Sequence, residues 1–600
     1  MNGPVNQISI WHLLYQLLLY APRLYLLDSL LWMFIMGLPA VPGLIIREFF
    51  NRLTDSSSAN FSSATLIVLL LATGAARIVA IFMGRITKTQ HRFTISGLLQ
   101  RNLLAGILRR PGALPLVAGE KKLSSGEVLS YFREDVAQIE DNVVGTNEIL
   151  GAGVFAAVSL IILLSVNIYL TIFVFFPLVA IAAIVQQAET RIKRYRRASR
   201  QATQQVTGLI GEIFAAVQAI QVAGAESPVL ERFRQVSQQR QQAIIRDQVF
   251  LAILESILQN MVNLGTGLIL LLASQTMRPA QALSVGDFAL FVYYLAFVTD
   301  FFWFLGGFLS LSKQTEVSFD RMTDLLQDAE PLPAESAPSS LVVHAPLYIP
   351  NLRNQASPLP AIESTIRHAE DSLNTLSTVG LTYRYPDTNC GISDISFQVQ
   401  RGNLTVITGR IGSGKTTLLR TLLGLLPHQA GEIYWNERLI QQPASFFIPP
   451  RSAYTPQVPT LFSTTLQENL QLGLDRSNQE LVQAISRSIL VQDIVAMPEG
   501  LNTEVGTRGV RLSGGQIQRV AAARMFLHQP ELLVFDDLSS ALDVETERRL
   551  WSHLLELRQS RGSQGWTPTC LVVSHRPALL QAADQVIVLE NGTIVSIEHQ

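Results

Sequence analysis

The chain has 600 residues, 48% of them hydrophobic and only 16% charged, with a positive mean hydropathy and a formal net charge of −1. That length exceeds one ordinary core, so at least two domains are expected. The balanced charge gives no signal for nucleic acid, and the two cysteines, Cys390 and Cys570, give no disulfide framework.

The average hides two unlike halves. Residues 1–310 hold nearly all the long apolar runs, and residues 375–600 read as an α/β domain. The N-terminal "MNGPVNQISIWHLLYQLLLYAPRLYLL" has no basic leader and no small-residue cleavage site. It predicts an amphipathic interfacial helix rather than a signal peptide. A spanning helix needs about 20 mostly apolar residues. Runs of that kind predict six spans, at 24–46, 64–86, 145–166, 168–188, 249–276 and 284–310. The first and second, third and fourth, and fifth and sixth spans are joined by short segments. The second-to-third and fourth-to-fifth joins are long, polar and helix-favouring. They carry the basic runs "RITKTQHRF", "ILRRPGALPLVAGEKK" and "RIKRYRRASR", which places both long joins and the C-terminal half in the cytoplasm.

Some ionisable residues fall in or near spans, among them Asp28, Arg77, Glu255 and Asp300. Glu255, Gln259 and Asn263 share one helix face. That face is either a polar stripe along a pathway or a surface turned to neighbouring helices. Residues 328–374, with "EPLPAESAPSS", "NQASPLPAIES" and one apolar patch, "LVVHAPLYI", predict an extended linker.

The last third carries the chemistry. "GRIGSGKT" (409–416) matches the phosphate-binding loop pattern, between an apolar run that predicts a strand ("LTVIT") and a stretch that predicts a helix ("TLLRTLLGLL"). Gly409, Gly412 and Gly414 let the backbone N–H groups of Arg410, Ile411 and Ser413 curl round phosphates, and the helix N-terminus adds its dipole. Lys415 supplies a charge for the β- and γ-phosphates, Thr416 offers a hydroxyl to Mg²⁺, and Thr417 continues the loop into the helix. "LLVFD" (532–536) predicts a buried strand ending in Asp536, a second Mg²⁺ ligand.

"LSGGQ" (512–516), shortly before that strand, makes the chain resemble an ATP-binding cassette (ABC) ATPase. The resemblance implies that Ser513, Gly514, Gly515 and Gln516 cap the γ-phosphate held by a partner subunit. Further stretches follow in the family's order: "RYPD", with Tyr385 to stack on adenine; "YTPQVPTLFSTTLQENL", with Gln457 to reach Mg²⁺ and the attacking water; "SALD" (540–543); and "VVSHR", with His575 to contact the γ-phosphate. The first half resembles the same family's exporter fold. Residues 124–143 match its first coupling region, 208–226 its second and 283–295 the start of its sixth span. The resemblance implies an all-α six-helix transmembrane domain (1–327), a linker (328–374) and a cytoplasmic α/β P-loop ATPase domain (375–600). It further implies ATP and Mg²⁺ as cofactors, a second half-transporter as partner, the plasma or inner membrane as location and a hydrophobic or amphipathic solute as cargo.

Three positions depart from the family pattern. Asp537 stands where the family carries the Glu that orients the attacking water, Thr507 stands for a Glu at the contact with the coupling loops, and Ile517 replaces a basic residue. An Asp carboxylate ends one methylene short, and a displacement of about 1 Å in a catalytic group can cost on the order of 100-fold. Two readings follow. Either the chain pairs with a different subunit whose site its LSGGQ completes, or it is a homodimer in which Asp537 suffices. An importer of metal chelates with the exporter fold and a non-transporting ATPase or channel would carry the same machinery.

Overall fold

The computed structural model describes residues 10–54, 61–118, 121–123, 125–173, 189–275, 284–327, 341–347, 368–386, 388, 390–474, 476–506, 512–538, 541–559 and 566–600. The chain divides into two compact units, Met1–Ile107 with Val117–Leu347, and Leu108–Leu116 with Tyr348–Gln600.

The first unit is helical. After α1 (Ile10–Tyr20), Pro22 opens α2 (Pro22–Gly37) at a first-turn position, where its missing N–H costs nothing. Leu38 keeps helical backbone, but Pro39 has no N–H with which to continue the hydrogen-bond ladder, and the predicted first span is two helices, with α3 (Ala40–Leu53) following the break. α4 (Ser63–Leu108) runs unbroken for 46 residues. That is about 69 Å at 1.5 Å per residue, more than twice a hydrocarbon core of about 30 Å, so its polar second half extends beyond the apolar layer. A π turn at Tyr131–Asp135 leads into α5 (Val136–Val166), followed by α6 (Glu189–Ala215), α7 (Glu226–Gln275) and α8 (Val285–Gln327). Among the described residues, Pro22–Leu53, Ser63–Leu108 and Gly126–Val166 are long and apolar enough to cross a membrane. α7 and α8 cover the predicted fifth and sixth spans. Most of the predicted fourth span, and the side chains of Glu255 and Gln259, lie outside the described residues.

Polar side chains tie these helices where water is absent. Asp28 of α2 is fully buried and accepts from Thr87 Oγ1 of α4 (2.9 Å) and Asn147 Nδ2 of α5 (2.7 Å). Each bond joins a different pair of helices, so the node fixes three helices at once. The apolar patch of the predicted linker also has a place here. Leu341 and Val342 are buried, Asn102 Nδ2 donates to the carbonyls of Leu341 and Val343 (2.9 Å each), and Tyr20 Oη donates to that of Ala345 (2.6 Å). Residues 341–347 are thus held by α1 and α4.

The second unit is α/β. Strands β1 (Thr375–Arg384) and β2 (Gly391–Gln400) form an antiparallel sheet with β4 (Ala430–Trp435) and the two-residue strand Arg438–Leu439. The main sheet contains β3 (Leu404–Thr408), β5 (Ser452–Thr455), β6 (Leu532–Asp536), β7 (Thr569–Val573), β8 (Gln585–Glu590) and β9 (Thr593–His599), in the order β9-β8-β3-β7-β6-β5. All its strands are parallel except β9. β6 and β7 are buried along their whole length, as strands covered on both faces must be. Helices α9 (Lys415–Leu422), α10 (Gly514–His528) and α11 (Val544–Gln559) flank this sheet.

The stretch 108–116 belongs to this second unit although α4 precedes it. Pro111 and Gly112 end the helical run, Ala113 N donates to Leu425 O (3.0 Å), and Leu114 packs on the same core.

His528 ends α10, where the helix dipole favours a charged imidazole. Burial outweighs that and pushes its pKa down to about 4. The unfolded chain takes up this proton near pH 6.5 and the folded chain only near pH 4, so the folded state is penalised as pH falls across that window. The thermal midpoint of the protein is expected to fall more steeply between pH 6.5 and 4 in the wild type than in His528→Gln. Equal slopes would refute this assignment.

Candidate functional site

The predicted phosphate loop joins β3 to α9. Gly409, Gly412 and Gly414 all have positive φ (+143°, +85° and +99°). A Cβ on Gly409 would lie 2.1 Å from the Leu589 carbonyl oxygen, and one on Gly414 would lie 3.0 Å from Ile392 Cγ2. The loop is therefore closed to side chains on its protein side. It is open on the other, where Gly412 has nothing within 4 Å and Ile411 is fully exposed. Lys415 Nζ donates to the carbonyls of Gly409 (2.7 Å) and Arg410 (2.8 Å). Ser413 Oγ is buried without a partner.

The other groups arrive from the C-terminal ends of the parallel strands, where open α/β sheets place their ligands. Asp536, at the end of β6, accepts from Thr416 Oγ1 (3.0 Å) and from Tyr454 Oη of β5 (3.3 Å). Burial raises the Asp536 pKa, opposed by those two bonds and by Arg420. Burial lowers that of Lys415, opposed by Asp536 and Asp537, and pushes Tyr454 up to about 12. Past β5, Gln457 Nε2 donates to Asp537 Oδ2 at a long 3.4 Å. Past β7, His575 is exposed and its Nδ1 lies 3.4 Å from Thr408 Oγ1, at the root of the loop. Tyr385 stands in the β1–β2 turn, its N–H bonded to Cys390 O and its ring edge-on to Tyr383 at 5.0 Å. That turn leads to Gly391, whose carbonyl borders Gly414.

Asp537 has a backbone φ of +53°. The left-handed region is costly for most side chains but accessible to Asp and Asn. The short acid therefore suits this backbone even though it reaches less far.

The LSGGQ segment forms its own cap. Ser513 Oγ accepts from Gln516 N (3.2 Å), and Gln516 Oε1 accepts from Ser513 N (2.8 Å), a reciprocal capping box. Gln516 Nε2 also donates to Asp493 (2.9 Å), which Arg519 holds through two guanidinium bonds (2.6 and 3.2 Å). Among the described residues, Ser513 to Gln516 make no hydrogen bond to the loop 409–416. Gly514 and Gly515 instead lie against Ala541 of the "SALD" stretch; a Cβ on Gly515 would lie 2.9 Å from its carbonyl oxygen. Ile517 packs against the core of the unit. Thr507 and Ser540 lie outside the described residues.

The sequence reading missed one connecting residue. Gln518 is buried, its Nε2 donates to Gln457 O (3.4 Å), and its Oε1 accepts from Ala541 N (3.1 Å). It joins three motifs far apart in sequence. The only signal was a Gln at the start of an otherwise apolar helical face.

The site fits a magnesium nucleotide. The loop presents unobstructed backbone, Ser413 Oγ is an orphaned polar atom, and Thr416 with Asp536 forms the hard oxygen donor set that Mg²⁺ prefers. Comparison with known proteins agrees. Residues 36–301 match the family model "ABC transporter transmembrane region", and residues 392–540 match the model "ABC transporter". The chain belongs to the ABC transporter family.

The chain is 27% identical to an ATP-dependent lipid A-core flippase of Chromohalobacter salexigens, over 92% of this chain and 88% of that protein. It is 29% identical to heavy metal tolerance factor 1 of Caenorhabditis elegans, over 63% of this chain but only 43% of that protein. Among solved structures, a bacterial Atm1-family ABC exporter with ATP bound shares the fold with a TM-score of 0.73 at 19% identity, over 96% of this chain and 95% of that one. The chain thus carries an ABC transmembrane region followed by an ABC cassette.

Proposed function

We propose that this chain is one half of an ATP-driven exporter of a hydrophobic or amphipathic solute, placed in the plasma or inner membrane with its cassette in the cytoplasm. Bound Mg·ATP would supply the scissile phosphate bond and the free energy that biases the spans. Lys415 holds the phosphate charge, the N–H groups of residues 409–417 cradle the phosphates, and Thr416, Gln457 and Asp536 hold Mg²⁺. Tyr385 stacks on the adenine, His575 meets the γ-phosphate, and Asp537 orients the attacking water. Nucleotide favours the closed pair by its greater affinity for that state.

The capped LSGGQ helix has no bond to its own phosphate loop, which supports a role toward a second cassette. Asp537 carries the finer reading, that the second cassette belongs to a different subunit. The Asp537 carboxylate ends one methylene short of a Glu, and a shortfall of about 1 Å in a catalytic group can cost on the order of 100-fold; on this reading the chain's own site is slow, while its LSGGQ completes a faster site on the partner's phosphate loop. A homodimer remains the second reading, supported by Gln457 and His575 standing where an active site needs them.

Purification of the tagged chain from its native membranes tests this. A second six-span cassette chain of similar size is expected in equal amount. If the chain runs alone as a dimer with ordinary turnover, the heterodimer reading falls.

A further inference from the structure

The first three turns of α6 carry Arg191, Lys193, Arg194, Arg196, Arg197 and Arg200, six cations in ten residues, with no carboxylate between Thr190 and Gly211. At about 100° per residue, Arg196, Arg197 and Arg200 fall within about 100° of arc. That arc is centred roughly 150° away from Tyr195, Ala202 and Val206. The latter three form the seam with α7, the main neighbour of α6. Ala202 and Val206 are buried, and the Tyr195 ring lies 5.5 Å from that of Phe250 of α7. The arginine face, on the other side, is exposed.

These cations have no countercharge within the chain. Elsewhere in this unit the bases meet acids on neighbouring helices. Arg47 pairs with Asp287, Lys88 with Glu148, Arg92 with Glu140 and Asp141, and Arg321 with Asp135. Among the described residues, Arg194, Arg196, Arg197 and Arg200 make no ion pair and no side-chain hydrogen bond. The adjoining turn of α7 adds a further exposed base, Arg246. Its one acid, Asp247, is buried and makes no ion pair among the described residues. Crowded like charges repel one another, so a face of this kind is left with an unbalanced positive field that an external anion relieves.

The position of the face selects the anion. The predicted fourth span ends at residue 188, which puts Arg196 about 12 Å beyond the apolar layer along α6. The contact with Phe250, at the start of the predicted fifth span, puts it only about 2 Å beyond. The head-group layer is about 5–8 Å thick on each side. Side chains lean toward the N-terminus of their helix, which on α6 is the membrane end, so long arginines reach back into that layer at either depth. The Tyr195–Phe250 pair supplies the aromatic border usual at that level. A planar guanidinium is suited to binding phosphate oxygens in pairs.

We infer that the exposed face of α6 around Arg196, Arg197 and Arg200 binds the phosphate head groups of anionic phospholipids in the cytoplasmic leaflet. The assignment takes its sidedness from the reading above and adds a partner to it, a lipid that stays in the bilayer and holds the membrane end of α6. Each arginine near an anionic surface is worth roughly fivefold in affinity.

The test counts lipid adducts by native mass spectrometry on the full chain with whatever partner co-purifies. Phosphatidylglycerol is the probe, with phosphatidylcholine and glycerol 3-phosphate as comparators. Phosphatidylglycerol is expected to bind more tightly than phosphatidylcholine. Arg196→Gln/Arg197→Gln/Arg200→Gln should reduce that preference by on the order of 100-fold. Arg197→Gln alone should reduce it roughly fivefold, which keeps the test decisive if the triple variant fails to fold. Arg232→Gln/Arg234→Gln/Arg240→Gln removes the same charge from exposed positions of α7, all more than a Debye length from its membrane end, and should leave the preference intact. Raising ammonium acetate from about 0.1 to 1 M, which shortens that length from about 10 to 3 Å, should shrink it. No preference in the wild type, a preference that survives the α6 substitutions, or equal loss in both triple variants would overturn the assignment. Glycerol 3-phosphate binding as tightly as the lipid would overturn the bilayer as its source. ATP-driven movement of an amphiphile, measured on the same preparations, separates the two claims. Movement without lipid preference removes this inference and leaves the exporter, and lipid preference without movement does the reverse.

Discussion

Replacing Asp537 by Glu is expected to raise ATP turnover in this chain's own site by on the order of 100-fold. Asp and Glu differ little in acidity, so the effect is one of reach. Asp537 sits directly after a buried strand whose last residue, Asp536, is fixed by Thr416 and Tyr454, so the backbone has little freedom to move the shorter acid forward. Its side-chain bond from Gln457 is long at 3.4 Å. A competing effect opposes the change. With φ at +53°, the site is left-handed, a region that costs most side chains about 1–2 kcal/mol and Asp less. The Glu variant should therefore melt slightly earlier while turning over faster. Two kcal/mol would be a stability effect, whereas 100-fold in rate is a barrier effect of about 2.7 kcal/mol. The two are read by different measurements, a melting curve and a single-site turnover assay with the partner's phosphate loop disabled. Unchanged turnover in the Glu variant would show that reach is not what limits this site.

The second large effect is on binding. Lys415→Ala is expected to weaken nucleotide binding by about 10- to 100-fold, the worth of one or two charge-assisted hydrogen bonds. Among the described residues, Lys415 Nζ bonds to carbonyls of its own loop, at Gly409 and Arg410, and the loop is open to water at Ile411. Water can take over those carbonyls, so the variant should melt within about 0.5 kcal/mol of the wild type. Titration with a fluorescent ATP analogue measures the first effect and thermal unfolding the second. An unchanged dissociation constant would remove Lys415 from the site.

Features that depend on local chain chemistry were the legible ones. The phosphate loop could be read because each glycine answers to its own backbone angle; the reciprocal cap between Ser513 and Gln516 came from the structure. The short acid at Asp537 was visible for the same reason, but its left-handed backbone, a second cause for an Asp there, was not. Features that depend on distant residues were missed. Gln518 acquires its role only when the strand ends bring Gln457 and Ala541 to it. Residues 341–347 read as linker because their partners, Tyr20 and Asn102, lie more than two hundred residues upstream.

The central claim is that nucleotide hydrolysis by this pair moves an amphiphile across the membrane. The most direct measurement is uptake of a labelled amphiphile by proteoliposomes holding the purified pair with outward-facing cassettes, given either ATP or a non-hydrolysable analogue. Accumulation with ATP alone, faster in the Asp537→Glu variant, is the expected result. Equal uptake with either nucleotide would contradict it.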